Sequence, residues 1–154
     1  MTAKTKPSAE RYALEIARIV EAPRDLAFKI WTTPELLVRW WGPKDFTSSC
    51  EQLEFRKGGA YRFTIYKDDH RHGMSGIYRD IVTPERIVFT FAWDNEIGQP
   101  GDETLITVTF EAVAPNKTRI TFSQAPFDTV ESRDSHMSGW GECLDRMGAY
   151  LAKL

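Results

Sequence analysis

The sequence predicts an α+β domain in which a curved antiparallel sheet packs against one long C-terminal helix. Two observations carry this prediction. From residue 46 onward, apolar and polar residues alternate in short segments separated by turns, which is typical of half-buried strands. Residues 128–154 alone form a long segment with helical spacing. A chain of 154 residues is long enough to bury one sizeable core, so a single domain is expected.

The C-terminal helix is the most strongly patterned element. Its apolar residues recur every three or four positions, on one stripe formed by Met137, Trp140, Leu144, Met147, Leu151 and Leu154. Asp128 and Glu131 have the spacing of a capping box, which predicts where the helix begins. Charged residues, Arg146 among them, fall mainly on the opposite face.

Two glycines, Gly139 and Gly141, flank Trp140 in this helix. Each costs about 1 kcal/mol relative to alanine in a helix interior. We expect an offsetting gain, either from close approach to the sheet or from free space beside the indole. Ordinary core packing around two unfavourable residues is the alternative.

The N-terminal part of the chain is predicted to form a tail, a strand and two short helices. Residues 1–10 are polar, and we expect a flexible tail ahead of a domain that spans residues 11–154. An alternating segment then predicts a strand, and a proline starts each of two short helical segments. These three elements are predicted at residues 12–21, 24–31 and 35–41.

The remaining strands are predicted to form a meander, because each follows the last through a short turn. They cover residues 46–55, 61–67, 74–79, 87–93, 105–110 and 118–124. One face of the sheet is strongly aromatic, whereas the other carries Thr, Ser and Arg. One face should therefore be covered, and the only segments able to cover it are the long helix and the two short ones.

Composition excludes several classes of function. The formal net charge of −2, from 20 basic and 22 acidic side chains, argues against a nucleic-acid surface and a polybasic membrane anchor. No apolar run has the length of a membrane span, and the polar N-terminus does not resemble a signal peptide. Cys50 and Cys143 are far apart and read as free thiols in a reducing compartment. A cytoplasmic location is expected.

Catalytic and metal-binding motifs are weak in this sequence. His70 and His72 could offer two metal ligands, but they lie at a predicted hairpin tip without a third ligand nearby. His136 lies near the start of the long helix, where it could reach the mouth of a pocket, but without a nucleophile to activate we expect it at the surface. Phosphate loops, dinucleotide fingerprints and nucleophile elbows are lacking, so no metal, cofactor or catalytic residue is predicted. An inward-pointing strand carboxylate would be a candidate base; the candidates are Glu15, Glu51, Glu54 and Asp80.

Several short motifs occur in an order that resembles a known family. They are Val20-Glu21-Ala22-Pro23, Trp31-Thr32-Thr33-Pro34-Glu35, Arg39-Trp40-Trp41-Gly42-Pro43, Gly58-Gly59, Gly76-Ile77-Tyr78-Arg79-Asp80-Ile81-Val82, Pro84-Glu85-Arg86-Ile87-Val88-Phe89-Thr90, Thr104-Leu105-Ile106-Thr107-Val108-Thr109-Phe110 and Gly139-Trp140. This order resembles bacterial START-like (SRPBCC) domains and, more narrowly, the family named after the activator of the Hsp90 ATPase. The resemblance covers residues 12–154. It implies the helix-grip fold, with six or seven strands wrapped on the C-terminal helix and a cavity between them.

The resemblance also implies a ligand in that cavity, because many relatives bind a lipid-like or aromatic molecule there. The candidate ligand-binding residues face inward or lie at the expected entrance near Trp40 or Trp41; they are Trp40, Phe63, Ile65, Met74, Tyr78, Phe89, Phe91, Trp93, Val108, Phe110, Met137, Trp140 and Leu144. Filling of the core is the alternative role for each. Aromatics and methionines exceed Leu and Val among them, which favours an adaptable apolar pocket. Gly76 and Gly139 are expected to leave space for it.

Binding of a small hydrophobic molecule without catalysis is therefore the leading hypothesis. A cavity enzyme acting on a hydrophobic or polyketide-like substrate by acid–base chemistry is the first alternative. A chaperone-interacting module, suggested by the family name, is the second, although we expect no room within 154 residues for the additional N-terminal domain of the eukaryotic activator. A buried, unpaired His, Asp or Glu would favour the enzyme, and a charged surface groove would favour the interaction module. A homodimer is left open.

Overall fold

The computed structural model of the chain describes residues 11–154, so the tail expected at residues 1–10 lies outside the described residues. Within this described range, seven strands and three helices follow one another. In order they are β1 (Tyr12–Val20), α1 (Arg24–Lys29), α2 (Pro34–Leu37), β2 (Thr47–Leu53), β3 (Ala60–Lys67), β4 (His70–Val82), β5 (Arg86–Trp93), β6 (Thr104–Ala114), β7 (Lys117–Phe127) and α3 (Val130–Leu151).

All seven strands form one antiparallel sheet, in the order β1-β7-β6-β5-β4-β3-β2. Strands β2 to β7 are the predicted meander, and β1 joins the sheet beside β7. Helix α3 runs without a break and buries Trp140, Cys143, Leu144, Met147 and Leu151. The predicted α+β helix-grip architecture, with a sheet of six or seven strands and one long C-terminal helix, is confirmed.

The start of α3 differs from the predicted capping box. Thr129 is the N-cap residue: its backbone is extended, and its hydroxyl oxygen accepts a hydrogen bond from the Ser132 N–H at 3.0 Å. Asp128 instead lies outside the helix, exposed, with a carboxylate oxygen 3.8 Å from Arg11 Nε. The prediction of an Asp128–Glu131 box was therefore wrong by one residue, since a threonine hydroxyl at the next position supplies the cap.

The two short helices end earlier than predicted. After α2, the N–H groups of Arg39 and Trp40 bond to carbonyls three residues back, and the same tightening follows α1 at Trp31 and Thr32. These tight turns place Trp31, Trp40 and Trp41 together in the core, where each is at most 3% exposed. The three indoles lie 4.7 to 6.3 Å apart between ring centroids. This tryptophan cluster fills the space between the short helices and the sheet.

Gly76 in β4 does not leave space for a pocket, contrary to the expectation. A Cβ at this position would overlap the Thr90 carbonyl of the neighbouring strand and come 2.8 Å from the Tyr61 ring. The Tyr61 hydroxyl donates to the same Thr90 carbonyl at 2.6 Å, and the Thr90 hydroxyl accepts from the Ile77 N–H at 2.8 Å. Glycine is required here because the strand backbone and an aromatic ring already occupy the position of a side chain.

Gly76→Ala should therefore lower the free energy of unfolding by about 3 kcal/mol, because the methyl group cannot be accommodated without a backbone shift. Gly148→Ala in α3 is the matched control. The nearest atom to its new Cβ is 3.7 Å away, and helix propensity should make the change neutral or stabilising by up to about 1 kcal/mol. Urea unfolding measures both variants. A loss below about 1 kcal/mol for Gly76→Ala would contradict the close approach.

Candidate functional site

A cavity of about 350 Å³ opens between residues 135–143 of α3 and the inner face of strands β3 to β5. The chain that links α2 to β2, here the α2–β2 loop (residues 38–46), forms its third wall. The residues around it are Trp41, Gly42, Pro43, Phe46, Ile65, His72, Met74, Trp93, Ser135, His136, Gly139, Trp140 and Cys143. Its volume lies at the lower end of the range of about 300–1,000 Å³ for small-molecule pockets.

The α2–β2 loop is held against α3 by Arg146. The Nη1 atom of Arg146 lies 2.9 to 3.3 Å from the carbonyl oxygens of Trp41, Gly42, Pro43 and Phe46, so its two N–H bonds are shared among four acceptors. The prediction that Arg146 faces away from the core was wrong, because its long side chain reaches back to satisfy a loop that has few partners of its own.

The loop also requires glycine at position 42. Gly42 has a φ of 106°, in the left-handed region that side-chain-bearing residues avoid. A Cβ there would lie 3.3 Å from Ile65 Cγ2 and 3.6 Å from Arg146 Nη1. The chain can therefore turn close to the sheet at Gly42 and bring Pro43 and Phe46 to the edge of the cavity.

The two glycines beside Trp140 have different surroundings. Gly139 borders the cavity, where the nearest atom to an added Cβ is Pro43 Cγ at 3.9 Å. Gly141 lies against β1, where its carbonyl accepts a hydrogen bond from Arg18 Nη2 at 3.5 Å. Arg18 also pairs with Asp145 at 2.8 Å. Gly139 thus accompanies free space, one of the two gains expected from the sequence, whereas a Cβ at Gly141 would make only an ordinary contact of 3.5 Å with Arg18 Nη2.

His136 forms part of the cavity wall and is half-buried, whereas it was expected at the surface. Its Nε2 accepts a hydrogen bond from Trp93 Nε1 at 2.9 Å, and its Nδ1 lies 2.7 Å from the Ser132 carbonyl oxygen. Because an indole N–H only donates and a carbonyl only accepts, these partners assign the neutral ring with the proton on Nδ1. Both ring nitrogens are therefore occupied, and neither is free to act as a base.

The remaining polar groups of the cavity offer little for catalysis. The Cys143 thiol is buried and donates to the Trp40 carbonyl at 3.7 Å, and burial raises the pKa of this thiol to about 12. It is consequently protonated at neutral pH and a poor nucleophile. His72 and Ser135 are exposed at the rim. Within residues 11–154 no carboxylate lines the cavity, and no three His, Cys, Asp or Glu side chains group as a metal site would require.

Four of the thirteen predicted ligand-binding residues line this cavity: Ile65, Met74, Trp93 and Trp140. The other nine lie outside it. Met137 is half-buried against the core, and the fully buried ones are Trp40, Phe63, Tyr78, Phe89, Phe91, Val108, Phe110 and Leu144. The expected gap between sheet and helix is thus confined to one end of α3, because aromatic rings fill the rest. Phe122 and Phe91 approach the Trp140 ring to 4.6 and 5.6 Å.

Sequence reasoning did not include Ser135, His136 or Cys143 among the candidate ligand-binding residues, although it expected Gly139 to leave space for the pocket. His136, Gly139 and Cys143 follow one another at steps of three and four, so they form a second stripe on α3 beside the apolar one. That spacing was a usable signal. Pro43 and Phe46 had none, because a loop segment has no periodicity and only the Gly42 turn and the Arg146 contacts bring it to the cavity.

The fold and the cavity define a helix-grip, START-like domain with one end open to solvent. More narrowly, the chain belongs to the activator of Hsp90 ATPase homolog 1-like family, whose model matches residues 21–152. No helix in the described part of the chain is long and apolar enough to cross a membrane. Comparison with curated proteins found no match.

Solved bacterial structures share the fold at low sequence identity. An AHSA1 protein from Silicibacter pomeroyi superposes with a TM-score of 0.83 at 22% identity, covering 92% of this chain and 98% of its own. A protein from Arthrobacter aurescens gives a TM-score of 0.83 at 24% identity, covering 99% and 92%. One from Chromobacterium violaceum gives a TM-score of 0.81 at 23% identity, covering 90% and 96%. At these identities the likeness shows the fold.

Replacing Trp140 separates its packing from its hydrogen bond. Trp140→Ala should lower the free energy of unfolding by about 3–5 kcal/mol, because a large buried ring is removed. Trp140→Phe should cost about 1–3 kcal/mol, since it leaves the buried Gln124 Oε1 without the donor that now lies 2.7 Å away. Urea unfolding of the two variants gives both values. A loss below about 1 kcal/mol for Trp140→Ala would contradict the packing described.

Stability should depend on the Cys143 thiol at alkaline pH. Its pKa is about 12 in the folded chain against an ordinary 9.0, so from about pH 9 upward the unfolded chain loses this proton first. The unfolded state then binds fewer protons, and folding stability falls as pH rises. Cys143→Ala should show a shallower decline between pH 8 and pH 10.5 in urea unfolding, with the contributions of buried tyrosines unchanged. Parallel declines in the two proteins would contradict the buried thiol.

Proposed function

We propose that the protein binds a small apolar molecule in the cavity between α3 and strands β3 to β5, without performing chemistry on it. The cavity itself carries this proposal. It holds about 350 Å³ and opens to solvent, and its walls are mainly aromatic, aliphatic and thioether side chains. Water makes few favourable interactions with such a wall. An apolar ligand lowers its free energy when it moves from water into the cavity.

The expected affinity follows from the area that such a ligand buries. A bicyclic aromatic that loses about 300 Å² of exposed surface gains about 7–8 kcal/mol. Ordering of the ligand and of the wall offsets part of that gain. The gain before this offset corresponds to a dissociation constant of a few micromolar, since 1 μM corresponds to about 8 kcal/mol, and the offset moves the expected value to tens of micromolar. Methionine and aromatic walls adapt to shape, which favours a class of ligands over one exact molecule.

The cavity enzyme is supported less well by the same residues. His136 has both nitrogens hydrogen-bonded, and Cys143 is a buried thiol whose raised pKa keeps it protonated. In the described range, the wall contains no carboxylate that would act as a base. The chaperone-interacting alternative is supported by the family name alone, and a concave apolar cavity of about 350 Å³ favours a small molecule over a protein surface. Two free cysteines are consistent with a cytoplasmic place for this binding.

Filling the cavity from the helix tests the proposal. Wild-type protein should bind the dye N-phenyl-1-naphthylamine with micromolar affinity. The bound dye should quench tryptophan emission and raise the melting temperature of the protein. Gly139→Leu should weaken binding at least about tenfold, because its side chain occupies the open space beside Pro43. Gly139→Ala is the matched control and should stay within about threefold of wild type, since one methyl group removes little volume.

The measurement is a fluorescence titration of the three proteins, with urea unfolding to show that each is folded. Absence of dye binding by the wild type would overturn the proposal. Equal affinity of wild type and Gly139→Leu would place the dye elsewhere and overturn it as well.

A further inference from the structure

The five tryptophans differ in the hydrogen bonds of their indole N–H groups. Three donate to a good acceptor: Trp40 to the Ile30 carbonyl at 3.3 Å, Trp93 to His136 Nε2 at 2.9 Å, and Trp140 to Gln124 Oε1 at 2.7 Å. Trp31 Nε1 is buried and, among the described residues, has no partner. Trp41 Nε1 donates only to the thioether sulfur of Met74, at 3.3 Å. Buried indole donors usually find an oxygen or nitrogen acceptor, so Trp31 and Trp41 are the exceptions.

The Trp41–Met74 pair lies at the wall of the cavity, because both residues line it. Both are almost fully buried, at 2% and 1% exposure, and are thereby withdrawn from bulk water. A thioether sulfur is a weak acceptor, so the Trp41 donor recovers only part of the hydrogen bonding that it had in water. Met74 is unbranched with three rotatable bonds and can turn aside at little cost. An oxygen atom of a ligand would therefore be a better hydrogen-bond acceptor for the Trp41 indole N–H than the Met74 sulfur is.

We infer that the natural ligand carries an uncharged oxygen acceptor at its buried end, and that Trp41 Nε1–H donates to this oxygen in place of Met74 Sδ. The inference rests on the proposed function and narrows it to apolar ketones, aldehydes, esters or ethers. A carboxylate fits poorly: between residues 11 and 154, neither lysine nor arginine lines the cavity, and an unpaired charge is costly to bury. The nearby Arg146 guanidinium already donates to loop carbonyls.

Trp31 provides a matched control for this role. Its indole N–H lacks an acceptor, but the void that Trp31 borders holds only about 10 Å³, at most one water molecule, and Trp31 does not line the cavity. A ligand in the cavity should therefore be indifferent to the loss of the Trp31 donor and sensitive to the loss of the Trp41 donor.

Two isosteric probes isolate the hydrogen bond. 2-Acetylnaphthalene and 2-isopropenylnaphthalene have nearly the same shape, because a methylene carbon takes the place of the carbonyl oxygen, but only the ketone carries an acceptor. The quantity measured is the ratio of their dissociation constants, ketone over hydrocarbon, obtained by titration of the intact protein. A general change in cavity volume or stability affects both probes and cancels in this ratio, as in a double-mutant cycle.

Trp41→Phe should raise the ratio about fivefold, because it removes the donor and keeps a ring in the wall. Met74→Leu should lower the ratio about twofold or more, because the competing sulfur is lost at nearly unchanged volume. Trp31→Phe should leave it unchanged. In nitrogen–proton correlation spectra, the ketone alone should move the Trp41 indole N–H resonance downfield. The Trp41 resonance is assigned by its loss in Trp41→Phe. If Trp41→Phe does not fold, the resonance is assigned by its shift in Met74→Leu.

The outcomes separate this inference from the proposed function. If both probes bind and the ratio is unchanged in Met74→Leu and Trp41→Phe, the acceptor role is overturned while small-molecule binding stands. A ratio that changes in Trp31→Phe instead would overturn the role of Trp41. If neither probe binds to the wild type, the proposed function and this inference both fail.

Discussion

The hydrogen bonds of Arg146 to the α2–β2 loop are the interaction on which the cavity depends. One guanidinium nitrogen serves four carbonyl oxygens of a loop that has turned at Gly42. These hydrogen bonds tie the loop to α3, although Arg146 and the loop are far apart in the chain. Because the same loop carries Trp41, Pro43 and Phe46, the contact fixes one entire wall of the cavity and sets its distance from the sheet. A charged side chain thereby organises an apolar site without entering it.

Aromatic packing decides where the cavity ends. The tryptophan cluster of Trp31, Trp40 and Trp41 closes the space between the short helices and the sheet, and Trp140 extends the contact to α3, 5.3 Å from Trp41. Beyond these rings the core is continuous. Next to Gly139 no side chain of α3 fills the interval to the α2–β2 loop, so the space beside Trp140 stays open there. Large aromatic rings therefore close one end of the domain, and the missing side chain at Gly139 leaves the other end open.

The fold was predictable from the sequence because the apolar residues of each strand and of α3 recur with the period of that element. Alternation fixed the strands and their inner face, and steps of three and four fixed the buried stripe of α3. The site was predictable only in part, since periodicity says which face is inward but not where along the helix the sheet moves away. Ile65 and Trp93 were found for that reason, and Phe63 and Val108 have the same signature yet lie in the closed core. Arg146, Pro43 and Gly76 depend on contacts between distant segments, which spacing along the chain does not encode.

If an apolar molecule binds as proposed, it should lie at the open end of the sheet and nowhere deeper. Nuclear Overhauser effects between 2-isopropenylnaphthalene and assigned methyl groups test this most directly. Ile65 and Met74 lie at the cavity, whereas Val108 and Leu144 lie in the closed core with at most 1% exposure. Strong effects to the methyl groups of Ile65 and Met74, with none to Val108 and Leu144, are the predicted result. Effects to Val108 or Leu144, or no effects at saturating probe, would contradict it.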